Sequence, residues 1–302
     1  MPIYGDELRG AFITVGHRRV MPFMRLLIID GHNLLFQMFF GMPSRITNSC
    51  GKPIHGIIGF IGALGKLITM TAPTHVVVLF DSETQNSRKN ILEEYKRNRP
   101  DWSLVPEEDN PFSQLESIYT CLDLLGIKHA EVKNAETDDV IASYATQYGN
   151  SAEIYISSYD SDYFQLITDR VKVIRYRGQC SRICDTQYII DTLGIHPRYY
   201  ADFKSMVGDS SDNIKGLHGV GPKTAAGLIN EFGTLDEIIA NADKIKKDRL
   251  RLTLIENTNV LYRNMSLIKL HGHTPLPFSK EELFYTNNPF RTMEIIHVAG
   301  VN

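Results

Sequence analysis

The sequence predicts an α/β fold with a mainly parallel central sheet flanked by helices, together with a separate helical subdomain. Three short, continuous apolar runs have the length and composition of buried parallel strands: Arg25–Asp30, His75–Asp81 and Glu153–Ser158. The segment Ile54–Ala72 lies between the first two runs and carries its large apolar residues on one helical face. From Pro197 the pattern is helical, which indicates the second unit.

Further elements follow the third strand. We expect another strand and four helices at Val171–Arg177, Thr186–Leu193, Thr234–Ala240, Lys244–Ile255 and Val260–Lys269. At 302 residues, with a hydrophobic share of 43%, the chain suits one large or two modest globular domains. Residues 1–24 carry no clear period, and Met21 and Met24 lie just before the first strand. We expect a disordered N-terminal extension, or a translation start upstream of the native one.

Composition indicates a cytoplasmic protein without a membrane anchor. The apolar run Ala11–Gly16 is too short for a signal peptide, and His55 and Lys66 interrupt the apolar segment Ile54–Ala72. No Cys/His grouping has zinc-finger spacing, so free thiols in a reducing compartment are expected. The cysteines are Cys50, Cys121, Cys180 and Cys184.

Acidic residues follow all three predicted strands. Asp30 and Asp81 end the first two, and Asp160 and Asp162 come directly after the third. A single acid at a strand end is more often a cap or turn residue than a ligand. Three strands that end this way favour a site, because open α/β sheets bind their ligands at the carboxyl ends of the strands.

Two further acidic groups lie outside the strands. Glu136, Asp138 and Asp139 open a predicted helix, where acids complement the helix dipole even without any further role. Asp209 and Asp212 are three residues apart, so in helical or turn geometry they can face one point. An ordinary helix–turn–helix with surface acids is the alternative interpretation of this second group.

A glycine-rich turn follows Asp212. Its glycines are Gly216, Gly219 and Gly221, and Pro222 then begins an apolar helix. A turn of this kind can point backbone N–H groups at phosphate without reading sequence. We expect Gly221 to need a backbone conformation, or a close approach to phosphate, that a side chain would block.

The segment Asn86–Leu115 interleaves basic and aromatic residues, which suits contact with nucleic-acid backbone and bases, although a solvated charged loop is the commoner explanation of such runs. Its basic residues are Arg88, Lys89, Lys96, Arg97 and Arg99, with Tyr95 and Trp102 among them. A second basic run spans Lys244–Arg251, where a solvated helix face is an adequate explanation.

Three motifs together resemble the 5′ nuclease family, which comprises flap endonucleases and the 5′→3′ exonuclease domain of bacterial DNA polymerase I. Met206–Thr224 resembles its helix–three-turn–helix segment, Glu136–Asp139 its Glu-x-Asp-Asp element, and Glu94–Pro100 its Tyr-Lys-x-x-Arg motif. The resemblance covers roughly residues 25–270. It implies a PIN-like catalytic domain at 25–196 with a helical arch at about 83–115, a helix–three-turn–helix subdomain at 197–270 and a C-terminal segment at 271–302. A polymerase domain does not fit this length, so we expect a free-standing nuclease.

Nine acids match the metal-binding positions of the family: Asp30, Asp81, Glu136, Asp138, Asp139, Asp160, Asp162, Asp209 and Asp212. So many carboxylates in one cleft require cations, because like charges raise each other's pKa. Oxygen ligands favour Mg²⁺ or Mn²⁺ over zinc. Removing nine negative charges from the net charge of −3 leaves +6 on the rest of the chain, which suits a DNA-binding protein.

The resemblance also implies a role for each residue. Asp30, Asp81, Glu136 and Asp138 would hold a first ion, while Asp160, Asp162, Asp209 and Asp212 would serve a second, with Asp139 shared or outside both. Lys96 and Arg99 would neutralise charge at the scissile phosphate, and Tyr95 would stack on an unpaired terminal base. Gly219, Gly221, Lys223 and Thr224 would hold the duplex backbone, with K⁺ on carbonyls of that turn.

The expected function is hydrolysis of branched or nicked DNA by a monomer, as 5′→3′ exonuclease and flap endonuclease with two metal ions. The expected DNA partners are 5′ flaps, nicks and duplexes with a free 5′ end. Two alternatives remain. A PIN-type ribonuclease would not need the Gly219–Thr224 duplex-binding element. A catalytically inactive binder of DNA junctions should have lost ligands of the second metal, which are all present here.

Overall fold

A six-stranded sheet forms the centre of the protein. The computed structural model describes residues 14–15, 18–19, 23–82, 91–97, 100–133, 135–286 and 292–300. The strands of the sheet are Arg25–Asp30 (β1), His75–Asp81 (β2), Lys128–Val132 (β3), Glu153–Ser157 (β4), Val171–Arg175 (β5) and Arg182–Cys184 (β6). Their order is β3-β2-β1-β4-β5-β6, and all neighbours are parallel except β5 and β6. The predicted mainly parallel sheet is confirmed.

Helices cover both faces of this sheet and form the helical subdomain. They are Gly31–Gly41 (α1), His55–Thr71 (α2), Leu115–Leu124 (α3), Thr137–Tyr148 (α4), Thr186–Leu193 (α5), Tyr200–Val207 (α6), Pro222–Phe232 (α7), Leu235–Ala240 (α8), Asp248–Glu256 (α9), Thr258–Ile268 (α10) and Thr292–Val298 (α11). Side chains alternate along β1, so Leu27 and Ile29 pack with α1, α2 and α3, whereas Leu26 and Ile28 face α4. Both faces are buried, which explains why the strands are continuously apolar.

The helical subdomain shares one of these cores. Phe203 and Met206 of α6 and Leu228 of α7 belong to the same buried cluster as Leu26 and Ile28 of β1. The subdomain is therefore packed firmly on the α4 face of the sheet. The hairpin after α6 lies at the carboxyl edge of the sheet, where its Asp209 and Asp212 interact electrostatically with Asp160, which follows β4.

Two helix starts differ from the prediction for local reasons. Thr234 is the N-cap of α8, and it exchanges hydrogen bonds with Glu237 in a capping box, so the helix itself begins at Leu235. The predicted helix Lys244–Ile255 is a 3₁₀ turn at Ala242–Lys244 followed by α9. Ile245 breaks the helix there, because it is buried in the core in extended conformation.

The predicted N-terminal extension and arch are described only in part. Within residues 1–24 the structure describes a two-residue antiparallel pair, Thr14–Val15 with Arg18–Arg19, the exposed Phe23 and the core residue Met24. Residues 83–90 and 98–99 of the arch lie outside the described residues. The described remainder of 83–115 consists of turns at 91–97 and three 3₁₀ helices, Trp102–Leu104, Glu107–Asp109 and Pro111–Gln114, before α3 begins.

The strand order places a switch point beside Asp30. From β1 the chain runs outward to β2 and β3 on one side, and to β4 and β5 on the other. Ligand sites of open α/β sheets lie at such points, outside the carboxyl ends of the strands. Among the helices that the structure describes, none is long and apolar enough to cross a membrane.

Candidate active site

Asp30 occupies the centre of the carboxyl edge. It is the last residue of β1 and also the N-cap of α1, where its Oδ1 accepts the N–H of Asn33 at 3.1 Å. Its Oδ2 accepts hydrogen bonds from the hydroxyls of Ser158, at 2.9 Å, and Tyr163, at 3.4 Å. Burial raises the pKa of Asp30 well above its ordinary value, and the neighbouring Asp138 and Asp81 add to the increase.

Asp81 joins the end of β2 to the first turn of α4. Its Oδ1 accepts the N–H of Thr137 at 3.3 Å. The Nδ1 atom of His32 accepts the backbone N–H of Asp81 at 3.3 Å and lies 3.7 Å from its Oδ2. The Asp81 side chain is half exposed, so this carboxylate remains open to a ligand from solvent.

The acids of α4 point in two directions. The Lys96 ammonium lies 3.6 Å from Glu136 Oε2, and both side chains are almost buried. Asp138 accepts the Tyr163 hydroxyl, while burial and the charges of Asp160 and Asp81 raise its pKa to about 6 against the opposing effect of Lys96. In contrast, Asp139 Oδ1 accepts the backbone N–H of His271 at 2.9 Å, which ties α4 to the segment after α10.

Asp160 and Asp162 form a compact turn after β4. The N–H of Asp160 donates to Ser158 Oγ at 3.0 Å, and the N–H of Asp162 donates to Asp160 Oδ1 at 2.8 Å. Burial raises the pKa of both carboxyls, and Asp160 further raises that of Asp162. Asp162 Oδ1 is buried without a hydrogen-bond partner, which leaves one oxygen free for a ligand.

Asp209 and Asp212 lie on a hairpin between α6 and α7. Its strands, Gly208–Asp209 and Ile214–Lys215, pair in antiparallel fashion. Asp209 accepts the ammonium of Lys204 and the N–H of Ser211, the latter at 2.8 Å. Burial would raise the pKa of Asp209, but Lys204 and Ser211 outweigh it and hold the pKa below its ordinary value. The Asp212 side chain is buried.

The acids therefore meet at one edge of the sheet. Electrostatic interactions join Asp30 to Asp81 and Asp138, Asp138 to Asp160, and Asp160 to Asp162, Asp209 and Asp212. Within the described residues, no three Asp, Glu, His or Cys side chains converge closely enough to hold a metal ion in their present rotamers. Protein donors contact several of these carboxylates, among them the ammonium groups of Lys96 and Lys204. The donor set still fits a hard divalent cation, because it offers carboxylate oxygens and the unpartnered Oδ1 of Asp162.

Tyr95 does not occupy the expected position. Only 2% of its surface is exposed, and it packs in a core formed by the helical subdomain rather than facing a nucleic-acid base. The interleaving of aromatic and basic residues was therefore misleading for Tyr95, whose ring packs against apolar side chains of the helical subdomain. Arg99, the second predicted cation, lies outside the described residues.

An aromatic cluster next to Asp81 was missed in the sequence. It begins at His32, whose ring lies 5.0 Å from that of Phe112, and continues to Phe36, which is 5.1 Å from Trp102. Phe40 extends the cluster and is 60% exposed. Phe36 and Phe40 are four residues apart and therefore lie on one face of α1. This spacing, together with Trp102 in the arch region, was the available signal for the cluster.

Hydroxyl and lysine partners of the acids were also missed: Ser158, Tyr163 and Lys204. Tyr163 directly follows Asp162, and Lys204 precedes Asp209 by five residues, but neither spacing has a meaning until the fold is known. These three side chains are the partners of Asp30, Asp138 and Asp209.

The glycine-rich turn lies on the surface with two buried anchors. Leu217 and Val220 are buried, whereas Gly219, Gly221 and Lys223 are exposed, and Thr224 is partly exposed. The left-handed residue is Gly219, with φ of +81°. Gly221 is extended, with φ of −88°, and a Cβ there would meet nothing within 4 Å, so the expected need for a special conformation at Gly221 is wrong.

Basic side chains surround this turn. A cleft of about 180 Å³ is lined by His218, Gly219, Thr224, Lys247, Arg249, Leu250 and Thr253. The basic run at the start of α9 thus lies beside the turn rather than on a separate helix face. Exposed backbone and two cationic side chains make this cleft suitable for phosphate.

Comparison with protein families identifies the fold and its relatives. The family profile described as "5′-3′ exonuclease, N-terminal resolvase-like domain" matches residues 25–194, and "5′-3′ exonuclease, C-terminal SAM fold" matches residues 195–290. The chain belongs to the 5′-3′ exonuclease family. The resemblance seen in the motifs of the sequence is thereby confirmed.

Individual relatives agree with this assignment. A thermostable DNA polymerase I from Thermus thermophilus is 32% identical over 256 residues, which is 84% of this chain but 30% of the polymerase. A 5′-3′ exonuclease from Aquifex aeolicus is 31% identical over 260 residues, 85% of this chain and 86% of that protein. A bacteriophage T5 flap endonuclease, solved with DNA and metal ions, shares the fold with a TM-score of 0.68 at 24% identity, covering 81% of this chain and 88% of its own.

The raised pKa of Asp138 predicts how the stability of the metal-free protein depends on pH. Between about pH 4 and pH 6 the folded protein keeps a proton that the unfolded chain releases, so the free energy of unfolding falls as pH rises. Asp138→Asn removes this penalty. In EDTA, we expect the gain in unfolding free energy of the variant over the parent to be about 1–2 kcal/mol larger at pH 7.5 than at pH 4.5.

Urea unfolding of both proteins at the two pH values measures this difference. An equal gain at both pH values would mean that Asp138 titrates normally in the folded protein. Divalent metal at saturating concentration should make the parent more stable than Asp138→Asn at pH 7.5, because the Asp138 carboxylate then binds the cation.

Proposed function

We propose that this protein is a divalent-metal-dependent 5′ nuclease that hydrolyses phosphodiesters of branched or nicked DNA, as 5′→3′ exonuclease and flap endonuclease. The observation that carries the proposal is the acidic cluster at the carboxyl edge of the sheet, with Lys96 and Lys204 among its carboxylates. Family membership supports the same activity. The polymerase relatives are much longer than this chain, whereas the Aquifex aeolicus exonuclease is of similar length.

The cluster supports binding of Mg²⁺, with Mn²⁺ as a substitute. Asp30, Asp81, Glu136 and Asp138 would hold one ion, and Asp160, Asp162, Asp209 and Asp212 would hold or orient the other. Such ions lower the pKa of a bound water and stabilise the leaving oxygen of a phosphodiester. Asp139 Oδ1 accepts the N–H of His271, so Asp139 would act from outside both ion positions by holding α4 in place.

The protein's own groups prepare this edge for a phosphodiester. Tyr163 and Ser158 hold the carboxylates of Asp30 and Asp138 in place through their hydroxyls. Lys96 brings a positive charge into the cluster, where it would face the developing charge on the scissile phosphate.

Nucleic acid would be held on both sides of the cluster. The Gly219–Thr224 turn, with Lys247 and Arg249, would contact the duplex backbone, and its carbonyls would carry K⁺. The aromatic cluster around Phe36 and Trp102 offers faces for unpaired bases, and it takes over the role first expected of Tyr95.

One assay tests this proposal against its alternatives. Labelled 5′-flap DNA, nicked duplex and single-stranded RNA are incubated with the protein in Mg²⁺, in Mn²⁺ and in EDTA. We expect metal-dependent release of the DNA 5′ segment and no comparable cleavage of RNA. Preferred cleavage of RNA would indicate a ribonuclease, and binding of the flap without cleavage would indicate an inactive junction binder. Sedimentation of the complex tests the expected monomer.

Asp81→Ala should abolish cleavage and leave junction binding nearly unchanged. The half-exposed carboxylate is placed to contact metal, whereas affinity for DNA comes mainly from Lys, Arg and backbone N–H groups. Binding titration in Ca²⁺ and cleavage in Mg²⁺ measure the two effects. Cleavage at the parent rate would show that Asp81 only anchors Thr137.

Lys96→Ala should slow single-turnover cleavage by about 100-fold or more and weaken DNA binding by less than about threefold. A cation aimed at charge that develops during reaction acts mainly on the chemical step. Single-turnover kinetics at saturating protein separate the two quantities. A parent-like rate combined with a raised dissociation constant would make Lys96 a simple DNA contact.

The two exposed glycines of the turn should respond differently to alanine. Gly219→Ala forces a side chain into left-handed backbone, so we expect a loss of about 1 kcal/mol of stability together with weaker duplex binding. Gly221→Ala should leave stability unchanged and weaken duplex binding, because the added methyl occupies space where phosphate would approach. Urea unfolding and binding titration test both. Parent-like duplex affinity of Gly221→Ala would place the DNA elsewhere.

A further inference from the structure

Residues 91–97 of the predicted arch are hydrogen-bonded to the hairpin that carries Asp209 and Asp212. The backbone N–H of Lys96 donates to the carbonyl of Asp212 at 3.2 Å. In the opposite direction, the side-chain amide of Asn213 donates to the carbonyl of Glu94 at 3.0 Å. These two hydrogen bonds bring together segments that are more than 110 residues apart in the sequence. The chain at 91–97 therefore rests on the helical subdomain.

Backbone strain is concentrated at this junction. Among the described residues, three that are not glycine have positive φ: Ala72 at 42°, Lys96 at 56° and Asn213 at 59°. Two of the three, Lys96 and Asn213, lie on the two segments that these hydrogen bonds join. A left-handed residue costs about 1–2 kcal/mol, less for asparagine, and persists only where its surroundings hold it. The strain at Lys96 thus indicates that the junction determines the direction of its side chain.

Tyr95 supplies the packing that holds the strained segment. It is buried with Ala201, Ile214, Leu267 and Ile268, which belong to α6, the hairpin and α10. Its ring centroid lies 4.9 Å from the Lys96 ammonium, within reach of a cation–π interaction. The ammonium is therefore held between the Tyr95 ring and Glu136 Oε2, the latter at 3.6 Å, and its side chain is 11% exposed.

We propose that Tyr95 and Asn213 are positioning residues, which act on cleavage through Lys96. They anchor the backbone on either side of Lys96 to the helical subdomain and so hold its ammonium in the acidic cluster. The inference rests on the proposed nuclease function for its kinetic consequence, but the position of Lys96 itself is independent of that function. The subdomain that carries the glycine-rich turn thus also fixes a cation of the active site.

Four variants test whether the contacts of Tyr95 and Asn213 hold Lys96 in place. Tyr95→Leu keeps an apolar side chain but removes the ring beneath the ammonium, and Tyr95→Phe keeps both. Asn213→Gly keeps the left-handed backbone accessible but removes the amide that donates to Glu94. Ala72→Gly is the matched control, because it relaxes a left-handed residue at the end of α2, away from the acidic cluster.

Single-turnover cleavage of 5′-flap DNA at saturating protein is the first measurement. We expect rates about tenfold or more below the parent for Tyr95→Leu and Asn213→Gly, with DNA dissociation constants within about threefold. Tyr95→Phe and Ala72→Gly should stay within about threefold of the parent rate. In the Lys96→Ala background, Tyr95→Leu should add no further loss, because the residue through which it acts is gone.

Lysine acetylation followed by mass spectrometry is the second measurement, and it does not need activity. Lys96 should react slowly in the parent and in Tyr95→Phe, and about tenfold faster in Tyr95→Leu and Asn213→Gly. Equal protection of Lys96 in all variants, or a full additional loss of rate from Tyr95→Leu in the Lys96→Ala background, would overturn the proposal. A parent that fails to cleave would refute the nuclease function, while the acetylation result would still decide whether these residues position Lys96.

Discussion

The crowding of buried carboxylates at one edge of the sheet is the constraint on which the rest of the structure depends. Isolated buried carboxylates are costly, and neighbouring ones repel each other, so each must be neutralised or protonated. The protein uses both solutions. Asp30, Asp138, Asp160 and Asp162 have raised pKa values, whereas Asp209 is paired with Lys204 and its pKa is lowered.

The positive charges come from outside the sheet, and this requirement binds the two units of the fold together. Lys204 lies on α6. Lys96 lies in the predicted arch, and its backbone N–H donates to Asp212 of the hairpin after α6. Packing of α6 and α10 against the α4 face of the sheet therefore has an electrostatic as well as a hydrophobic consequence. A helical subdomain displaced from the sheet would leave the carboxylates without these two lysines.

The sequence was sufficient for four of the six strands and for the acids, because these follow from local rules. The edge strands β3 and β6 were not predicted, because they are largely exposed and carry no continuous apolar run. A buried parallel strand is an apolar run, and an acid at its carboxyl end must lie at the binding edge, whatever the rest of the chain does. Tyr95 shows where such rules fail, since its burial depends on Ile214 and Leu267, far away in sequence. Likewise, Gly219 and Gly221 are equivalent in the sequence, and the backbone alone shows that Gly219 is left-handed. Lys204 and Tyr163 become meaningful only once the fold brings them to the acids.

The partners of the carboxylates also divide the cluster into two chemically different halves. Around Asp30 and Asp138 the donors are the hydroxyls of Ser158 and Tyr163, which orient the oxygens but carry no charge. A cation arriving there would displace protons, because the pKa of both acids is raised. At Asp209 the partner is an ammonium, so a cation would have to compete with Lys204 instead. Proton release on metal binding should therefore arise from Asp30, Asp138, Asp160 and Asp162, whose pKa values are raised, whereas at Asp209 a metal ion would replace the ammonium of Lys204.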